Sequence, residues 1–189
     1  FNDISIDSRK INKKSLFITI EGENFDGHKF IDSVARKGVK ACLIEKKKKH
    51  LIKNKKILLI EVNNTLISLK KLALYARNRI RDLKTICVTG SNGKTTLKEW
   101  LKETLKNNFL VYSNPGNFNN LIGMPITLVN IPKNTEICIL ELGMNTYGEI
   151  KELARIARPD IAIITNIGNA HIGNFKNRFE IAKEKSDIF

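Results

Sequence analysis

Between residues 63 and 81, apolar side chains recur three or four positions apart, at Leu66, Leu69, Ala73, Ala76 and Ile80. That period predicts one amphipathic helix. The pattern before it is shorter and mixed. Apolar runs at 16–20, 39–44 and 57–62 predict strands. Ile31, Val34 and Ala35 at helical spacing predict a short helix over 30–37, after a polar loop at 22–27. The lysine-rich stretch 46–56 reads as a solvated, partly helical connection. After the long helix, apolar runs at 85–88, 110–112, 136–140 and 161–165 alternate with helical patterns at 95–106, 121–130, 147–157 and 179–189. Such alternation predicts a parallel sheet with right-handed crossovers. The fold class is therefore α/β. A small N-terminal α/β domain with its connecting helix fills residues 1–82, and a mostly parallel-sheet domain fills 83–189.

The second domain opens on Ile86-Cys87-Val88-Thr89-Gly90-Ser91-Asn92-Gly93-Lys94-Thr95-Thr96. A buried strand runs through a glycine-bearing loop into a helix. Backbone N–H groups of such a loop, backed by a helix N-terminus, cradle phosphate. Gly90 and Gly93 let the backbone approach closely. Lys94 can reach β- and γ-phosphates, and the Thr95 hydroxyl can ligate Mg²⁺. Gly90, Ser91, Asn92, Gly93, Lys94, Thr95 and Thr96 are the candidate ATP-binding residues. The spacing is not that of the commonest P-loop, because Val88 stands where its first glycine would be.

Composition changes the picture only a little. The chain has 189 residues and a formal net charge of +14. The lysines are scattered over amphipathic helices apart from Lys46 to Lys49, without aromatic interleaving or an arginine-rich helix, so a nucleic-acid partner is not expected. The excess charge would help attract an anionic nucleotide. No apolar run is long enough to span a membrane, and the opening residues carry no signal-peptide pattern. The chain opens on Phe1 and closes within its last expected helix, as part of a longer polypeptide would. Cys42, Cys87 and Cys138 each sit in an apolar run and none forms a C-x-x-C pair. They read as buried reduced thiols in a cytoplasmic protein.

In a parallel sheet, ligands gather at the carboxyl ends of the strands. The loops after residues 88, 112, 140 and 165 should therefore share one rim. Asn114, Asn117, Asn119 and Asn120 crowd the second of them, either as turn formers or as amides lining a polar substrate. Glu141 ends the third strand, where a carboxylate can hold a cation beside phosphates or cap the next helix. His171 follows the fourth strand on the same rim, as a metal or substrate ligand. His28 and His50 have no such placement. By spacing alone Lys183 and Lys185 are surface lysines of the last helix.

These residues resemble a known family. The loop from Thr89 to Thr96, Gly116-Asn117-Phe118-Asn119-Asn120 with Ile122-Gly123-Met124-Pro125, Glu141-Leu142-Gly143-Met144-Asn145 with Gly148-Glu149-Ile150, and Thr165-Asn166-Ile167-Gly168 with Ala170-His171 are similar to the Mur ligases. Asp7-Ser8-Arg9, Leu16-Phe17, Gly22, Asp26-Gly27-His28 and Phe30-Ile31 are similar to the family's UDP-binding domain. The resemblance implies three domains, of which this chain covers the first and most of the second. It implies a monomer that joins D-Ala-D-Ala to UDP-MurNAc-tripeptide through an acyl phosphate, with ATP and two Mg²⁺ sites. By the same resemblance Glu141 and His171 hold the second Mg²⁺, and Lys185 is the lysine that becomes carbamylated. Ser8, Glu23 and Asn24 would meet the uracil and ribose, while Asn117, Asn119 and Asn120 would meet the sugar-peptide or phosphates. Catalytic roles fall to Lys94, His171 and Lys185. Two other readings stay open: the branch of the family that adds the third residue to UDP-MurNAc-dipeptide, and a non-catalytic nucleotide-binding fragment.

Overall fold

A computed structural model describes residues 1–22, 25–53, 56–170 and 172–189. Two compact units result, Phe1–Leu72 and Ala73–Phe189. The division falls inside a helix, α2 below, whereas the sequence places the boundary after residue 82.

In the first unit, β1 (Asp3–Ser5), β2 (Ser15–Ile18), β5 (Ala41–Glu45) and β6 (Leu58–Val62) form a parallel sheet in the order β1-β2-β5-β6. β1 escapes the hydrophobic pattern, since three half-buried residues are too few to show a period. Helix α1 (Ile31–Arg36) packs Ile31 and Val34 on Phe17, Cys42 and Ile44. The polar loop expected at 22–27 contains a small antiparallel hairpin, β3 (Glu21–Gly22) and β4 (Phe25–Asp26).

Two polar residues of this unit are more buried than their sequence context suggests. His28 is buried. Its Nδ1 lies 2.6 Å from Asp26 Oδ1, and its Nε2 accepts the Glu45 N–H at 3.1 Å. The ring therefore ties the hairpin to the end of β5. The lysine run forms a 3-10 turn over Lys46–Leu51 and is not simply solvated. Lys48 is drawn in, with Nζ 2.7 Å from Glu21 and 2.8 Å from Asp26. Burial opposes ionisation of Asp26, but the Lys48 and His28 hydrogen bonds outweigh it and hold this carboxyl below the usual range.

Helix α2 (Thr65–Asn78) connects the units in sequence and buries Leu69, Ala73 and Ala76. In the second unit, β7 (Lys84–Thr89), β8 (Val111–Ser113), β9 (Ile137–Glu141) and β10 (Ile161–Ile164) form a parallel sheet in the order β10-β7-β9-β8. The apolar runs made this sheet legible, because strands buried on both faces need continuous Ile, Val and Cys. Helices α3 (Lys94–Leu105), α4 (Gly123–Val129) and α5 (Glu149–Ala157) fill the crossovers, and α6 (Arg178–Ser186) follows β10. Leu101 and Leu105 of α3 pack on Ile86, Ile137 and Ile139. On α3 Lys98 is fully buried while Thr104 is exposed.

All three cysteines are buried and unpaired. Burial pushes the Cys42 and Cys138 thiols up to about 12, so they are inert rather than nucleophilic. Among the described residues no helix is long and apolar enough to cross a membrane.

Candidate functional site

The carboxyl ends of β7, β8, β9 and β10 lie on one edge of the second unit, because all four strands are parallel. β7 leaves its last residue, Thr89, into a loop with two glycines at positive φ, Gly90 at 149° and Gly93 at 79°. Gly90 also has no room for a side chain, since a Cβ there would lie 1.9 Å from Thr165 Oγ1. α3 starts at Lys94 directly after Gly93, so its free N–H groups face the loop.

The loop is stapled from the β10 side. Ser91 N–H donates to Asn166 O at 3.0 Å. Asn92 N–H donates to Asn166 Oδ1 at 3.1 Å, and Asn166 Nδ2 returns a bond to Asn92 O at 3.1 Å. Thr165 Oγ1 donates to Asn92 O at 2.6 Å, and Gly168 N–H donates to Ser91 Oγ at 2.8 Å. The Ser91 hydroxyl is thus buried inside the scaffold. Asn92, Thr95 and Thr96 are exposed. Lys94 Nζ folds onto the loop and donates to Gly90 O at 2.7 Å.

Glu141 is the last residue of β9 and is 3% exposed. Thr95 Oγ1 donates to its Oε2 at 2.7 Å, and Asn119 Nδ2 donates to its Oε1 at 2.8 Å. The strand after the loop, the helix after the loop and the asparagine-rich segment therefore meet at one carboxylate. Asn119 lies over Gly143, where a Cβ would come within 2.9 Å of its amide. Asn120 Oδ1 accepts the Gly123 N–H at 2.8 Å and so caps α4. Asn117 is exposed.

A cavity of about 260 Å³ opens beside this cluster, lined by Gly90, Lys94, Asn117, Asn119, Asn120 and Lys185 among others. Lys185 is buried on α6. Burial disfavours its ammonium and Lys94 repels it, with Glu184 opposing, so its pKa falls from 10.5 to about 8. α6 is fixed by Glu184, whose carboxylate accepts Gly148 N–H at 2.8 Å and Ile150 N–H at 2.9 Å at the start of α5. That capping favours a carboxylate over any neutral group. Nothing in the sequence pattern marked Glu184, or set Lys185 apart from Lys183.

The donor set fits a magnesium nucleotide. A hydroxyl and a buried carboxylate, 2.7 Å apart, supply hard oxygens of the kind Mg²⁺ takes while keeping waters and phosphate oxygens as its other ligands. Among the described residues there is no cluster of three His, Cys, Asp or Glu side chains. Of the expected site residues, His171, Glu23 and Asn24 lie outside the described residues. Ser8 belongs to the first unit, in a turn after β1, where its carbonyl accepts from Lys37 Nζ at 2.8 Å.

Comparison with known proteins agrees with this architecture. Residues 88–189 match the profile described as the Mur ligase middle domain, and residues 1–77 match that of the Mur ligase family, catalytic domain. The UDP-N-acetylmuramoyl-tripeptide–D-alanyl-D-alanine ligase of Rickettsia prowazekii (strain Madrid E) is 43% identical over 188 residues, covering 100% of this chain and 41% of that protein. The crystal structure of MurF from Acinetobacter baumannii superposes with a TM-score of 0.90 at 35% identity, over 98% of this chain and 40% of that one. MurF ligase from Thermotoga maritima in complex with ADP gives 0.86 at 34% identity, over 98% and 42%. The chain thus spans about two fifths of the length of the relatives it matches. By both of its domain matches, the chain belongs to the Mur ligase family.

Proposed function

We propose that this chain carries the precursor-binding and nucleotide-binding parts of an ATP-dependent ligase that joins D-Ala-D-Ala to UDP-MurNAc-tripeptide in the cytoplasm, as a monomer. The observation that carries the reading is the meeting of Thr95, Glu141 and Asn119 beside the Gly90–Lys94 loop, with Lys185 lining the same cavity. The relatives' shared name favours the tripeptide branch over the one that extends a dipeptide.

A carboxylate is a poor electrophile, and phosphorylating it supplies a leaving group. The difficulty is bringing two anions together. Lys94 and the N–H groups at the start of α3 would offset the charge of the phosphates. Thr95, with Glu141 beside it, would hold Mg²⁺ at the ATP phosphates, and Glu141 with His171 would hold a second Mg²⁺; both ions would supply positive charge that offsets the repulsion between the anions. Asn119 orients Glu141 from the other side. Lys185, once carbamylated, would present an anion toward the second metal position, and a lowered pKa makes its neutral amine accessible. His171 would complete that position. Ser8, Glu23 and Asn24 would hold the uridine end, with Asn117 and Asn120 near the sugar-peptide.

Calorimetric titration of the chain with UDP-MurNAc-tripeptide and UDP-MurNAc-dipeptide, each with Mg²⁺ and ADP present, tests the proposal. Preference for the tripeptide supports it. Preference for the dipeptide moves the chain to the other branch, and binding of neither overturns the precursor role.

A further inference from the structure

Lys98 is fully buried, one helical turn beyond Lys94 on α3. Its Nζ donates to the main-chain oxygen of Asn114 at 2.8 Å and lies 3.2 Å from the half-exposed Glu99 carboxylate. Burying an ammonium is costly, and an unbranched apolar chain would fill the same space as well. Compared with such a chain, the ammonium adds an ion pair with half-exposed Glu99 and a directional donor to one carbonyl.

That carbonyl belongs to a residue in an unusual position. The β8–β9 ladder ends at the pair Ser113↔Ile139. The next residue, Asn114, continues it with its side chain. Asn114 Oδ1 accepts the Glu141 N–H at 2.9 Å and Nδ2 donates to Glu141 O at 3.0 Å. Nδ2 also donates to Phe118 O at 2.8 Å. Pro115 follows, so Asn114 is biased toward extended backbone. The carboxamide thus makes one extra rung, at the residue whose carboxylate faces Thr95 and Asn119.

We propose that Lys98 is a positioning residue for Glu141: its ammonium fixes the Asn114 main chain, and the Asn114 carboxamide fixes the Glu141 peptide. This deepens the ligase reading and rests on it for the role of Glu141 at the metal. Lys98 touches neither nucleotide nor metal. It acts through two hydrogen-bonded residues, so its loss should affect metal-dependent binding while leaving the glycine loop intact.

Two measurements on the chain test this. The first is amide hydrogen exchange. In Lys98→Met, protection of the Glu141 N–H should fall tenfold or more, with Val88 and Ile139 in the same sheet unchanged. Asn114→Leu, which removes the acceptor of the Glu141 N–H, should do the same, and the double variant should be no worse than either single one, as for residues acting in series. The second is calorimetric ADP binding with and without Mg²⁺. Metal-free affinity should stay within twofold, while the enhancement by Mg²⁺ falls about tenfold in Lys98→Met and is largely restored in Lys98→Arg, which keeps a donor. Unchanged Glu141 protection, additive losses in the double variant, or equal losses with and without Mg²⁺ would overturn the proposal. If the wild-type chain shows no Mg²⁺ enhancement, the ligase reading fails at its metal and so does the role given to Glu141, whereas the exchange result separately decides whether Lys98 controls the Glu141 peptide.

Discussion

Replacing Lys185 by Met should stabilise the second unit while removing the group on which the proposed chemistry depends. Lys185 is 2% exposed, and its burial, reinforced by Lys94, lowers its pKa from 10.5 to about 8. A lysine whose folded pKa lies below its unfolded value binds fewer protons when folded. The unfolded chain therefore takes up more protons between pH 8 and 10.5, and stability rises with pH across that window. Below pH 8 the cost is fully present, and above 10.5 it is gone. At about 1.4 kcal/mol per tenfold change in proton affinity, the distance from 10.5 to about 8 sets a ceiling of ~3 kcal/mol. The amine borders the cavity, and solvent there screens part of the cost, which leaves ~1–2 kcal/mol.

Urea unfolding of wild type and Lys185→Met at pH 7, 8, 9 and 10 measures this directly. Titrating groups that do not interact with Lys185 cancel in the difference between the two proteins. Lys185→Met should be more stable by ~1–2 kcal/mol at pH 7, and the advantage should shrink toward zero near pH 10.5. Lys94→Met should shift the Lys185 titration back toward 10.5, because it removes the repelling charge. A constant difference at all pH values, or a Met variant that is less stable at pH 7, would mean that this ammonium is not desolvated in the fold. The chemical counterpart follows from the same shift. At pH 8 about half of the amines are neutral, against roughly one in 300 at the ordinary value, and only the neutral amine adds CO₂. A carbamate signal from ¹³C-labelled bicarbonate should therefore appear in wild type and be absent from Lys185→Met.

Gly90→Ala forces a side chain into a backbone at φ 149° and against Thr165 Oγ1. It should cost ~2–4 kcal/mol from strain and broken staples and abolish ADP binding; near-wild-type unfolding would show that the loop can yield. Glu184→Gln replaces an acceptor pair at the start of α5 by a group with a misdirected donor. A loss of ~1–3 kcal/mol in denaturant unfolding is expected, and an unchanged midpoint would show that water can substitute for the cap. Lys94→Ala should weaken nucleotide binding strongly in calorimetry while stability moves by no more than about 1 kcal/mol, since the side chain is only half-buried at the first position of α3. A large stability loss with affinity intact would contradict the assignment of Lys94 to the phosphates.

The parts of this molecule that could be read from the sequence are those where local pattern and tertiary role coincide. Ile86 to Val88 are apolar because β7 is interior to its sheet, and Gly90 and Gly93 are glycines because both adopt positive φ. Glu141 was legible because a lone carboxylate interrupts a buried apolar run. What escaped were polar residues buried by tertiary contacts, whose type predicts the opposite. Lys98 occupies a core position on α3, and Lys48 leaves its solvated run for two carboxylates. Glu184 and Lys185 are neighbours on α6 and both are buried, Glu184 with its carboxylate on the free N–H groups at the start of α5. The hairpin β3–β4 and strand β1 have two or three residues per strand, too short for any period to register.

The asparagines on the rim divide by what their amides do. Asn114 and Asn166 spend both ends of the carboxamide on main-chain groups, one holding the end of β9 and the other holding the glycine loop. Asn120 caps α4. Asn119 alone among them bonds a carboxylate of the candidate site, and it shares the cavity with Asn117 and Asn120. Turn chemistry and substrate chemistry were alternative readings of this composition, and main-chain bonding occupies the carboxamides of Asn114 and Asn120. A peptide group in a loop has fixed directions, whereas a carboxamide carries a donor and an acceptor on a short arm that can match another peptide edge to edge. A parallel sheet whose strands end in loops has no further strand to complete its last rung. Asparagine supplies that rung at β8 and β10, and the two elements proposed to meet the phosphates, the Gly90–Lys94 loop and Glu141, are the ones it secures. Their geometry is thereby held by neighbouring strands, as the proposed electrostatic catalysis would require.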